Sequence, residues 1–94
     1  MENTVLVGIV TQAQGVEKSK DYLDELDFLT ITAGGKVVKR FVQKMNMPNP
    51  KTFIGSGKIS EIKEFILAND INTVIFDDEL SPTQERNISK IFNC

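Results

Sequence analysis

The sequence predicts an α/β fold, a three-layer open parallel sheet with helices on both faces. Two observations carry this. Short apolar runs at Thr4–Val10 and Thr73–Phe76 lack the alternation of a one-sided strand, so both faces of each must be covered. Between and after them lie segments with apolar residues at helical spacing, in the order strand, helix, strand, helix, strand, helix. At 94 residues the chain is a single domain.

Thr4-Val5-Leu6-Val7-Gly8-Ile9-Val10 reads as a central strand, and Gln12 to Gly15 as a polar loop. A helix is expected from about Lys18 to Thr32, with Tyr22, Leu26 and Leu29 as its buried stripe and Leu23 widening it. Ser19 is placed to cap it, Asp21, Asp24 and Glu25 sit where the helix dipole favours anions, and Gly34-Gly35 ends it. Lys36 to Met45 forms the second strand. Its central Lys39 and Arg40 point to opposite faces, which suits an edge. The loop from Asn46 to Ser56 is long for a small α/β unit and is stiffened by Pro48 and Pro50.

The second helix, about Gly57 to Asn69, buries Ile59, Ile62, Phe65 and Ile66. After the strand Thr73–Phe76 and the exit loop Asp77–Leu80, the last helix opens on Ser81-Pro82-Thr83-Gln84. That is an N-cap serine, a first-turn proline and a glutamine able to close a capping box. Ile88, Ile91 and Phe92 form its buried face. Right-handed crossovers then give strand order 2-1-3. A fourth strand belongs on the open side of the third, and no sequence remains to form it, so self-association through that edge is expected.

Composition narrows the function. With no histidine and one cysteine, Cys94, the chain offers no Ser-His-Asp or Cys-His catalytic group and almost nothing to build a zinc site. The apolar run at the N-terminus is too short for a signal-peptide core or a membrane span. A net charge of −2 exerts no whole-molecule pull on nucleic acid, yet it hides an uneven distribution. From Ala33 to Ser60 there are six basic residues, Lys36, Lys39, Arg40, Lys44, Lys51 and Lys58, and no acidic one. Glu17 to Asp27 is acidic. A basic segment tracks phosphates; it also serves simply as a solvated edge that resists aggregation.

Gly55-Ser56-Gly57-Lys58 resembles the end of a phosphate-binding loop. Thr52 stands where the first glycine of a P-loop belongs, and Ile59 where the magnesium-holding hydroxyl belongs. What survives is a glycine-rich turn opening a helix, with backbone N–H groups and Lys58 available to an RNA phosphate. The competing reading is a tight strand-to-helix turn and nothing more. Asp77, Asp78 and Glu79 lie at the C-terminal end of a parallel strand, where ligands of such sheets bind. Successive residues of an extended chain diverge, so Asp77 and Asp78 converge only if the chain turns at once. Their simpler role is to complement the following helix and nearby cations.

Taken together, Pro48-Asn49-Pro50-Lys51-Thr52-Phe53-Ile54-Gly55-Ser56-Gly57-Lys58 and Phe76-Asp77-Asp78-Glu79-Leu80-Ser81-Pro82-Thr83-Gln84-Glu85-Arg86-Asn87 resemble the two signature stretches of the N-terminal domain of HflX-type ribosome-associated GTPases. The likeness runs from Val5 to Phe92. It implies a cytoplasmic protein that binds the large ribosomal subunit and its rRNA, with no membrane partner. It also implies that the chain stops before the domain's last strand, a helical hairpin and the G domain. GTP and magnesium belong to that G domain, so no cofactor and no catalytic residue is expected here. Lys44, Lys51, Gly55, Ser56, Gly57 and Lys58 are then the candidates for RNA phosphates. The alternative is a nucleotide site of the domain's own, built from the Gly55–Lys58 turn and Asp77/Asp78.

Overall fold

A computed structural model describes residues 2–12 and 15–94. Three strands, β1 (Asn3–Val10), β2 (Lys36–Lys44) and β3 (Thr73–Phe76), form one parallel sheet in the order β2-β1-β3. Helix α1 (Gly15–Thr32) links β1 to β2, α2 (Ser56–Asn69) links β2 to β3, and α3 (Pro82–Phe92) follows β3. Fold class, strand order and the open outer edge of β3 are as the sequence predicts.

The pleat of β1 sorts its side chains. Val5, Val7 and Ile9 join Phe41, Ile54, Ile59, Ile62, Ile66, Ile88 and Phe92 in one buried cluster, so α2 and α3 share that face. Leu6 and Gly8 turn to the opposite face, where Leu23 of α1 closes over Gly8. β2 carries one extra residue, Val38, between the partners of Thr4 and Val5. This edge bulge sets Lys39 and Phe41 on the α2 face and Arg40 on the α1 face. Lys39 lies over the rings of Phe41 and Phe65, 4.8 and 5.2 Å from their centroids. Arg40 bridges Asp24 at 2.7 Å and Asp27 at 3.1 Å. The two central cations of β2 are thus both engaged, one by aromatic faces and one by the acidic helix.

Helix α1 departs from the expectation in three ways. It begins at Gly15, before Lys18, so Ser19 is no cap. Ser19 is buried in the second turn, where its hydroxyl donates to the Ile9 carbonyl. Residues 13 and 14 of the expected loop lie outside the described residues. The buried stripe is Ser19, Leu23 and Thr30, while Tyr22 and Leu29 are 42% and 52% exposed. The helical period is as the sequence predicts, but its phase differs by one row, because a serine and a threonine fill positions that apolar counting passes over. Finally, Glu17 is the first-turn acid, whereas Asp24 serves Lys20 and Arg40. These cations hold the Asp24 carboxyl below its usual range, chiefly through hydrogen bonds.

The other ends behave as read. Gly34, at φ +93°, and Gly35 close α1 with bonds to the Ile31 and Thr30 carbonyls. Ser81 and Gln84 form the full capping box at α3. Among the described residues no helix is long and apolar enough to cross a membrane.

Candidate nucleic-acid interface

The segment between β2 and α2 is a folded loop at the C-terminal end of the sheet. Asn49 organises it. Its side-chain oxygen accepts the N–H groups of Lys51 and Thr52, at 2.8 and 3.3 Å. Its backbone exchanges both hydrogen bonds with Phe53, pinching the loop into a short antiparallel bridge. Phe53 takes φ +68°, a rare conformation for a bulky residue, and is 1% exposed. Its ring packs edge-on to Phe76 at 5.5 Å, so burial offsets the local strain.

Both flanks of the loop are tied down by polar side chains. Gln43 of β2 accepts the Gly55 N–H at 2.8 Å. From α3, Gln84 donates to the Asn49 carbonyl at 2.8 Å and Asn87 to the Lys51 carbonyl at 3.1 Å. Gln84 therefore serves the capping box and the loop together, and it is buried. Sequence reasoning assigned Gln84 to the cap alone and passed over Gln43, Asn49 and Asn87. The available signal was that polar amides recur at 43, 49, 84 and 87 within or beside the two signature stretches.

The basic candidates separate by environment. Lys44, at the end of β2, and Lys51, on the clamped loop, are exposed, and neither forms an ion pair with a described residue. Lys58 differs: its ammonium pairs with Glu61 at 3.0 Å and lies 6.0 Å from the Phe41 ring centroid, leaving the side chain 22% exposed. Gly55 is the N-cap of α2 without a side-chain cap, and Ser56 and Gly57 are exposed in its first turn. A Cβ on Gly57 would meet nothing within 4 Å, so packing does not require that glycine. As a P-loop the turn does not fit. Ile59, in the magnesium-ligand position, is 6% exposed in the core, and Lys58 is committed to Glu61.

The acidic candidates lie elsewhere. The chain turns immediately after β3, with Asp78 accepting the Glu79 N–H at 2.7 Å, and Asp77 and Asp78 both reach one cleft beside α1. That cleft includes none of Gly55, Ser56, Gly57 and Lys58. Asp77, Asp78 and Glu79 form no ion pair with a described residue, and the N-terminus of α3 is served by Ser81, Gln84 and Glu85 instead. Burial, with the charge of Asp78 second, pushes the Asp77 carboxyl up to about 6.

Residues 20–94 match the family model described as GTP-binding GTPase N-terminal. The chain is 66% identical over 93 residues to a GTPase HflX of Flavobacterium psychrophilum, a match covering 99% of this chain and 22% of that protein. It is 41% identical over 87 residues to a GTPase HflX of Lacrimispora saccharolytica, covering 93% of this chain and 20% of that one. With a GTPase HflX of Escherichia coli the identity is 37% over 94 residues, 99% of this chain and 21% of the relative. The chain thus spans about a fifth of the length of these curated relatives. The match takes in both signature stretches and the clamp that joins them, and the chain belongs to the GTP-binding GTPase N-terminal family, as the N-terminal domain of HflX GTPases.

Proposed function

We propose that this domain is a non-catalytic RNA-binding module of a cytoplasmic GTP-binding protein, and that it helps seat that protein on the large ribosomal subunit. The observation that carries the reading is the clamped loop. Lys51 is presented on a segment whose backbone is fixed by Asn49, Gln84 and Asn87, so little conformational freedom is lost when the lysine meets a phosphate. Lys44 adds a second exposed cation at the same end of the sheet, and the open first turn of α2 allows close backbone approach. Nucleotide hydrolysis, with its magnesium, is assigned to the remainder of the longer protein. The separation of the Gly55–Lys58 turn from the Asp77 cleft speaks for this reading over a nucleotide site within the domain.

The test is binding of the full-length protein to large ribosomal subunits across a salt series. Lys51→Ala and Lys44→Ala should each weaken binding with little sequence preference and reduce the salt slope by about one. Lys58→Ala, whose ammonium is already paired, should change the slope less. Wild-type affinity and slope in both Lys44→Ala and Lys51→Ala, with folding intact, would leave the loop with a structural role only.

A further inference from the structure

The cleft beside α1 has a shape, a position and a charge that the RNA-binding reading does not use. The connections leaving β1 and β3 diverge to opposite faces of the sheet, α1 to one and α3 to the other. That divergence is the switch point at which open α/β sheets hold ligands. A cleft of about 520 Å³ opens there. Its wall is the α1 row Tyr22, Leu26 and Leu29, three apolar side chains at helical spacing that the sheet leaves uncovered. Its polar groups are Thr11, Glu25, Asp77 and Asp78, Pro48 of the β2–α2 loop closes one side, and among the described residues its lining includes no lysine or arginine.

The floor is built to admit a carboxylate. A Cβ on Gly8 would lie 2.7 Å from Asp77 Oδ2 and 3.3 Å from Leu23 Cδ1, so only glycine leaves Asp77 its place. The Ile9 backbone amide lies toward the Asp77 carboxylate and favours its charged form, against the larger effect of burial. The titratable groups facing Asp77 are Asp78 on its own turn and Glu25 and Tyr22 on α1; β1 contributes none. An apolar wall with an aromatic ring beside three acids repels phosphate and suits a cation on an apolar stem.

We propose that this cleft binds an arginine side chain presented by a basic polypeptide segment, its guanidinium at Asp77 and its neighbouring apolar residues on Leu26 and Leu29. Charge complementarity and the apolar wall select a peptide over a free amine, which would leave the wall uncovered. Because Asp77 takes up a proton as pH falls through about 6, the site weakens in acid.

Tyr22 is the sole tyrosine and there is no tryptophan, so intrinsic emission reports on the cleft directly. The probes are the blocked tripeptide Leu-Arg-Leu, the same peptide with neutral citrulline for arginine, and agmatine. Leu-Arg-Leu should change the emission saturably at pH 7.5. Binding should be about tenfold weaker for citrulline and weaker again at pH 5. Asp77→Asn, isosteric and so able to keep the fold, should abolish the difference between arginine and citrulline, and Asp78→Asn should reduce it. Lys51→Ala should leave the binding unchanged. The proposal is overturned if no saturable signal appears, if citrulline matches arginine, if the preference survives Asp77→Asn, or if agmatine binds as tightly as the peptide.

Discussion

Asp77 gives a quantitative handle on the cleft through stability alone. Its carboxyl moves from an ordinary 3.8 to about 6, first because burial disfavours the charged form and second because Asp78 repels it. Between those pH values the folded chain holds a proton that the unfolded chain has released, so stability falls as pH rises across the window. Above the window the penalty is complete. Two pH units correspond to about 3 kcal/mol at full strength. Asp77 is only half-buried, so solvent screening reduces this to about 1 kcal/mol. Asp77→Asn keeps the shape while removing the charge. The variant should therefore be about 1 kcal/mol more stable than wild type at pH 7.5, a melting shift of roughly 4–8 °C for a domain this size, and no more stable at pH 4. Asp24 titrates in the opposite sense, its lowered carboxyl losing stability in acid, but it is common to both proteins and cancels in the difference. Urea unfolding of both proteins at the two pH values is the assay. An equal gain at both pH values, or a loss at pH 7.5, would refute the reasoning.

Removing Gln84 should cost more than an ordinary surface change. Gln84→Ala breaks one half of the capping box and the bond to Asn49, worth about 2 kcal/mol together, and amide exchange should quicken at Lys51, Thr52 and Phe53. The 94-residue chain should neither bind nor hydrolyse GTP; calorimetry with GTP, GDP and ATP in magnesium is the measurement, and saturable micromolar binding would promote a nucleotide site within the domain. The outer edge of β3 has its backbone groups unpaired by strand and side chains half-exposed, so sedimentation should show concentration-dependent self-association of this chain. A monomer at high concentration would contradict that.

The sheet was legible because its signal is periodic and local. Two two-faced apolar runs and a lysine-arginine pair in the middle of the second strand are enough to order the strands, since a central strand tolerates no uncovered cation. Helix ends with dedicated chemistry were legible too: Gly34-Gly35 and Ser81-Pro82-Thr83-Gln84 carry their function in their residue types. The facing of α1 was not. Apolar counting favours Tyr22 and Leu29, yet the sheet takes Ser19, Leu23 and Thr30, because close approach of the helix to β1 and the Gly34-Gly35 turn suits small side chains. Nothing in a local window says which of two adjacent rows will meet a sheet formed by distant residues. The pairing of Lys58 with Glu61 is a different case, an i,i+3 pair inside the predicted helix that a local window does contain.

The two signature stretches are 17 residues apart from Lys58 to Phe76, and the structure gives a physical reason for their joint occurrence. Each is incomplete alone. Within the first stretch the Asn49 carbonyl accepts only the Phe53 N–H, and the helix start of the second adds the Gln84 amide to it and the Asn87 amide to the Lys51 carbonyl. Phe53 in its left-handed conformation is tenable because Phe76, at the head of the second stretch, receives its ring. The residue after Phe76 then begins the turn that carries Asp77 into the cleft on the opposite face. One strand end thus anchors an acidic cleft on the α1 face and a basic loop whose Phe53 and Ile54 pack in the α2-side cluster while its Pro48 lines the cleft. Lys51 does not line that cleft and shares no hydrogen-bond partner with Asp77, so substitutions at Lys51 and Asp77 should act independently, as sites without shared partners do.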